Sequence, residues 1–184
     1  MKYANPGPVG LMGFALTTWM LSLVNAGFYA GSSVPIVLAL AFSFGGTAQF
    51  IAGLLEYPRG NTFGFLAFCG YGCFWWSFAL FVRFFAAGTP AGTVGWYLAI
   101  WGAFTFVLLI ASLRLSRAVQ LIFLALTITF ALLAAGEFAE SAAIHRLGGY
   151  FGLITALLAF YLAAAEVINE VHGRAVLPVG PPRA

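Results

Sequence analysis

The sequence predicts an all-α membrane protein of six transmembrane helices, and three observations lead there. Of 184 residues, 62% are hydrophobic and 7% charged, whereas a soluble domain keeps about 25% charged residues to hold its surface in water. The apolar residues fall into six continuous runs, each close to the roughly 20 helical residues that cross a hydrocarbon core of about 30 Å. Between the runs lie only short polar, Gly or Pro stretches, so residues 1–184 are expected to form a single six-helix domain. The runs do not alternate apolar and polar with period two, which argues against a closed barrel.

The first run, 9–29, follows Asn5-Pro-Gly-Pro8, whose prolines lack an N–H and fix φ at a value suited to a helix start. Val24-Asn-Ala26 has the look of a cleavage triplet, but the run before it is long and Lys2 is a meagre basic leader. A permanent helix is therefore expected over a cleaved signal. Ser32, Ser33 and Pro35 open the second run, 34–55, which the turn Glu56-Tyr-Pro-Arg-Gly-Asn61 closes. The third, 63–86, ends before Gly88-Thr-Pro-Ala-Gly92. The fourth and fifth, 93–113 and 118–135, are separated by Arg114-Leu-Ser-Arg117, too short for anything but an antiparallel hairpin. The sixth is 148–167.

Orientation follows from basic residues, which are retained on the cytoplasmic side. With the N-terminus inside, Lys2, Arg59, Arg114, Arg117, Arg174 and Arg183 are inner, while Arg83 and Arg146 are outer. Both termini are expected in the cytoplasm, and Trp96 and Tyr97 at the outer interface. Arg83 either marks the outer side or snorkels from the end of its helix. Pairs such as Ala48 and Ala52, or Gly148 and Gly152, place small residues four apart, which lets helix backbones approach closely in lipid.

Several function classes drop out. The net charge of +3 reflects few acids, not a basic cluster of the kind that tracks phosphates, so nucleic acid is not an expected partner. Cys69 and Cys73 are two ligands where a zinc site needs about four, so no metal and no cofactor are expected. Glu56, Glu137, Glu140, Glu166, Glu170, His145 and His172 make no catalytic or metal-binding spacing, so an enzyme is not expected.

A solute route remains. Polar groups near membrane depth avoid lipid and face other helices or water. Thr17 and Thr47 either bond their own backbone or offer donors along a path. Asn25 and Gln49 carry amides that one backbone carbonyl cannot satisfy, so each either lines a route or sits in helix packing. The helix start after Asn5 either holds an anion on its free N–H groups or is an ordinary Pro-rich start. Glu56 either carries a coupling proton or is a solvated interfacial acid.

The blocks Asn5-Pro-Gly-Pro-Val-Gly-Leu11 with Met12-Gly-Phe14, Gly45-Gly-Thr-Ala-Gln-Phe-Ile-Ala-Gly-Leu-Leu-Glu-Tyr57, Gly60-Asn-Thr-Phe-Gly64, Tyr71-Gly72 and Glu166 through Asn169-Glu170 to Val176-Leu-Pro178 resemble those of the acetate uptake transporter family. The resemblance covers nearly the whole chain. It implies six helices around a narrow pathway in each protomer, a homo-hexameric ring in the plasma membrane of a bacterial or archaeal cell, and passage of acetate or related carboxylates such as succinate. Either proton-linked transport or an anion channel is compatible with it. It also implies a hydrophobic constriction at Phe14, Tyr71 and Leu126, where the Tyr71 hydroxyl is expected to donate to a carboxylate. Gly7 and Val9 depart from the family's usual Ala and Leu. A channel for neutral solutes such as urea or short amides is the rival reading, and a membrane scaffold the third.

Overall fold

In the computed structural model, which describes residues 4–180, six helices are long and apolar enough to cross a membrane. They are α1 (Gly7–Asn25), α2 (Gly31–Arg59), α3 (Thr62–Phe85), α4 (Gly92–Ser112), α5 (Arg117–Phe138) and α6 (Ala142–His172). No strand occurs among the described residues. Lys2 and Arg183, used above for orientation, lie outside them.

Helix ends follow local chemistry more than hydropathy. Asn61, Ser116 and Ser141 each cap the helix that follows, their side-chain oxygens accepting from the N–H of Gly64, Val119 and Ile144. Gly173 ends α6 with φ of 62°, a left-handed turn that glycine adopts without steric cost. α6 therefore extends well beyond the apolar run 148–167 at both ends, since residues 142–147 and 168–172, among them His145, Arg146, Asn169, Glu170 and His172, keep helical geometry where capping, not apolarity, sets the stop.

The helices form a ring in chain order, with α6 returning to pack along α1. Glycine makes the closest approaches. A Cβ on Gly149 of α6 would run into the backbone of Asn25 and Ala26, and one on Gly148 would strike Leu133 of α5. The middle of α2, Ala41–Ala48, is wound as a π-helix, a widening common at functional positions. There Gly13 of α1 faces the Phe44 carbonyl, and Gly45 faces Thr17 and Trp75, so neither site has room for a side chain. α3 and α4, by contrast, meet through large side chains. Trp101 of α4 lies edge-on to Phe74 at 5.2 Å, and Phe104 edge-on to Tyr71 at 5.4 Å. α4 is the most peripheral helix, with 17% of its most apolar window buried within the chain against 33% or more for every other.

Candidate functional site

A cavity of about 370 Å³ lies inside the ring, at the end where α1, α3 and α5 begin. Every helix but α4 contributes to its lining. Asn5, Glu56, Asn61, Ser116 and Glu166 form the polar mouth. Phe14, Tyr71, Phe123 and Leu126 close the inner end as an apolar neck, and Gln49 lies beside it, its Cβ 3.4 Å from where a Cβ on Gly13 would sit.

Two copies of one arrangement build the mouth. In one, Asn61 precedes α3, its Oδ1 accepts from Gly64 N at 3.0 Å, and its Nδ2 donates to Glu56 Oε2 at 3.0 Å. In the other, Asn5 precedes α1, its Oδ1 accepts from Gly7 N at 3.0 Å, and its Nδ2 donates to Glu166 Oε2 at 2.9 Å. Each asparagine thus accepts from the first turn of one helix and clamps a glutamate in the last part of the neighbouring one. The copies differ in charge balance, because Arg59 Nε lies 3.3 Å from Glu56 Oε2.

At the neck, the rings of Phe14 and Tyr71 have centroids 5.5 Å apart, and the Phe14, Tyr71 and Leu126 side chains are all buried. The Tyr71 hydroxyl is 2.9 Å from Thr105 Oγ1, which itself donates to the Trp101 carbonyl at 2.7 Å. With Thr105 already donating, Tyr71 is the donor between the two hydroxyls.

Residues 1–181 match the description of the GPR1/FUN34/yaaH family. The chain belongs to this family. The succinate-acetate/proton symporter SatP of Escherichia coli K12 is 46% identical over 183 residues, which cover 97% of this chain and 96% of that protein. Acetate permease A of Emericella nidulans is 36% identical over 203 residues, or 97% of this chain and 66% of that one. The solved structure of the bacterial acetate channel SatP superposes with a TM-score of 0.93 at 45% identity, covering 97% of this chain and all of that one. The GPR1/FUN34/yaaH fold is therefore the fold of this chain.

Within this family member the cavity gathers Asn5, Gln49, Glu56, Phe14, Tyr71 and Leu126, and leaves Thr17, Asn25 and Thr47 outside. Thr17 donates to the Gly13 carbonyl at 2.8 Å and packs on Gly45. Thr47 is exposed on the outer face, donating to the carbonyl of Phe42 five residues back at 2.7 Å, a reach set by the π-helical winding. Asn25 ends α1 at the opposite end of that helix from Asn5.

Two chemical expectations are corrected. The α1 start does not hold free N–H groups for an anion: Gly7 N donates to Asn5, Val9 N and Gly10 N donate to the Pro6 carbonyl, and Pro8 has no N–H. The Tyr71 hydroxyl is spent on Thr105, so Tyr71 offers the neck its ring and ties α3 to α4.

Asn61, Ser116, Phe123 and Glu166 are among the lining residues that sequence reasoning missed as site residues. Glu166 had a readable signal, being an acid inside the sixth apolar run, where ionisable groups are costly unless they face a cavity or partner. Asn61 had one too, standing five residues after Glu56 at a helix start.

Proposed function

We propose that this protein is a membrane pathway for acetate and related small carboxylates. The observation that carries this reading is the convergence of a polar mouth and the apolar neck of Phe14, Tyr71, Phe123 and Leu126 on one cavity. The names of the relatives, succinate-acetate/proton symporter and acetate permease, supply the solute class. Among the described residues no Lys or Arg lines the cavity. That suits release, since a fixed cation in a low-dielectric slot would hold a carboxylate tightly, whereas side-chain amides bind it weakly. Asn5, Gln49 and Glu56 are the solute-facing polar residues of this reading, with Asn61 and Glu166 added. A homo-hexameric ring in the plasma membrane, with both termini in the cytoplasm, completes it. The orientation is supported by Arg59, Arg114, Arg117 and Arg174 at the mouth end, against Arg83 and Arg146 at the other.

The test is uptake of labelled acetate into proteoliposomes. Leu126→Ala removes bulk from the neck and is expected to change the rate by at least about 10-fold, while Tyr71→Phe, which deletes a hydroxyl engaged with Thr105, is expected to leave it within about fivefold, the factor that one hydrogen bond of about 1 kcal/mol represents. Uptake indifferent to Leu126→Ala overturns the assignment of the neck. Urea-driven swelling that acetate does not compete with would favour the neutral-solute rival.

A further inference from the structure

The mouth of the cavity presents two carboxylates, Glu56 and Glu166, to a solute that is itself a carboxylate. An anion arriving there meets like charge. An anion crossing the neck then sheds its water among Phe14, Tyr71, Phe123 and Leu126 with no cation beside it, a costly transfer. Both obstacles vanish for the neutral acid.

The structure separates the roles of the two glutamates. Glu56 is 2% exposed and takes both Arg59 and Asn61 on one oxygen. Glu166 is half-buried and is held by Asn5, and among the described residues no basic side chain forms an ion pair with it. Among the described residues, the charged groups that act on it are Glu56 and Arg59 from α2 and Glu170 from its own helix. α1 and α5 bring no titratable residue to the cavity, and α3 brings Tyr71, at the neck.

An independent feature marks the form of the solute at the neck. Gln49 is 1% exposed, lines the same cavity, and its Oε1 has no hydrogen-bond partner within the protein. Buried polar atoms are almost always paired, so this oxygen calls for a donor. A carboxylate has none to give. A carboxylic acid has an O–H for the amide oxygen and a carbonyl for the amide N–H, so acid and amide pair on both sides.

We propose that Glu166 exchanges a proton with the carboxylate at the mouth, donating to one that enters there and accepting from one that leaves, and that Gln49 holds the neutral acid, which is the species that crosses the neck. On entry the O–H bond of the Glu166 carboxyl breaks and an O–H bond forms on the solute, leaving Glu166 as a carboxylate held by Asn5. Glu166 regains its proton from water at the mouth, so one proton moves with each carboxylate. This rests on the reading of the cavity as a carboxylate pathway.

The experiment uses the full chain in proteoliposomes, with protein-free vesicles subtracted and the membrane potential clamped at zero or at about 100 mV, a step that alters the driving factor of a crossing anion by up to roughly 50-fold. Acetamide, the uncharged relative of acetic acid, serves as a second solute that needs no proton. The expected wild type takes up acetate independently of potential and also passes acetamide. Glu166→Gln keeps an acceptor for Asn5 but carries no proton, and its acetate uptake is expected to fall by about 100-fold, the low end of what a positioned acid contributes, with acetamide passage reduced far less. Acetate uptake that follows the potential, a wild type that excludes acetamide, or a Glu166→Gln variant that keeps both solutes or loses both, overturns the proposal. A wild type with no acetate uptake overturns the carboxylate reading itself, which is a separate failure.

Discussion

Gln49 is a residue that weakens the fold it belongs to. A buried oxygen without a partner costs about 1–3 kcal/mol relative to one that is bonded, and at 1% exposure Gln49 has no access to bulk water. Replacing it by methionine, of similar length and without the polar end, is expected to raise thermal stability in detergent, by about 1 kcal/mol, while lowering acetate uptake. A variant that is destabilised instead would mean that the amide is engaged in packing and does not serve the solute. This opposition of stability and activity is what a pre-formed polar group at a binding position produces. Gln49 was legible in the sequence as an amide at membrane depth, and Glu56 as an acid at the end of an apolar run. Thr47 was not separable from them by residue type, and only its position two residues from Gln49 sets it on another face of the helix. The bond from Tyr71 to Thr105 was illegible, because the two are 34 residues apart on different helices and either hydroxyl alone has several possible partners.

At the scale of the helices, glycine determines how closely they approach. α6 lies on α1 where Gly149 meets the backbone of Asn25 and Ala26, and where Gly152 leaves room for the Ser22 hydroxyl. Lipid gives helices no hydrophobic reason to associate, so this backbone proximity supplies the attraction through packing. Gly149→Leu is expected to force α1 and α6 apart and to lower the unfolding midpoint in detergent, at a cost of about 1–3 kcal/mol or more for overpacking against backbone. A midpoint equal to wild type would show that the contact is dispensable. The pair Gly148 and Gly152 was legible as a helix contact from its spacing alone. The π-helical winding of Ala41–Ala48 was not, because Gly45 and Gly46 permit it without requiring it. What favours it is the fit of Gly13 against Phe44 and of Gly45 against Thr17, contacts between elements that no single run contains.

Taken whole, the molecule is asymmetric across the membrane. One end has the cavity, with Arg59, Arg114 and Arg117 around its mouth. At the other, Phe74, Trp75 and Phe130 are buried in the interior beyond the neck, with the rings of Phe74 and Phe130 edge to face at 5.5 Å. The six-helix architecture was legible because lipid allows so few solutions: every apolar run of sufficient length must satisfy its backbone internally, and that means a helix. The way the bundle faces rests on charge alone. In cells, basic residues stay on the cytoplasmic side, so the cavity is expected to open inward. With Cys69 and Cys73 replaced by alanine, single cysteines at Ala87→Cys and Ala175→Cys report on the two ends, since both positions are exposed, one between α3 and α4 and the other after α6. A membrane-impermeant maleimide added to intact cells is expected to label Ala87→Cys, and to reach Ala175→Cys only once the membrane is permeabilised. The opposite pattern would turn the protein over, placing the carboxylate mouth outside. Glu166 would then take its proton from the medium, and uptake would be driven by external acidity acting directly on the mouth.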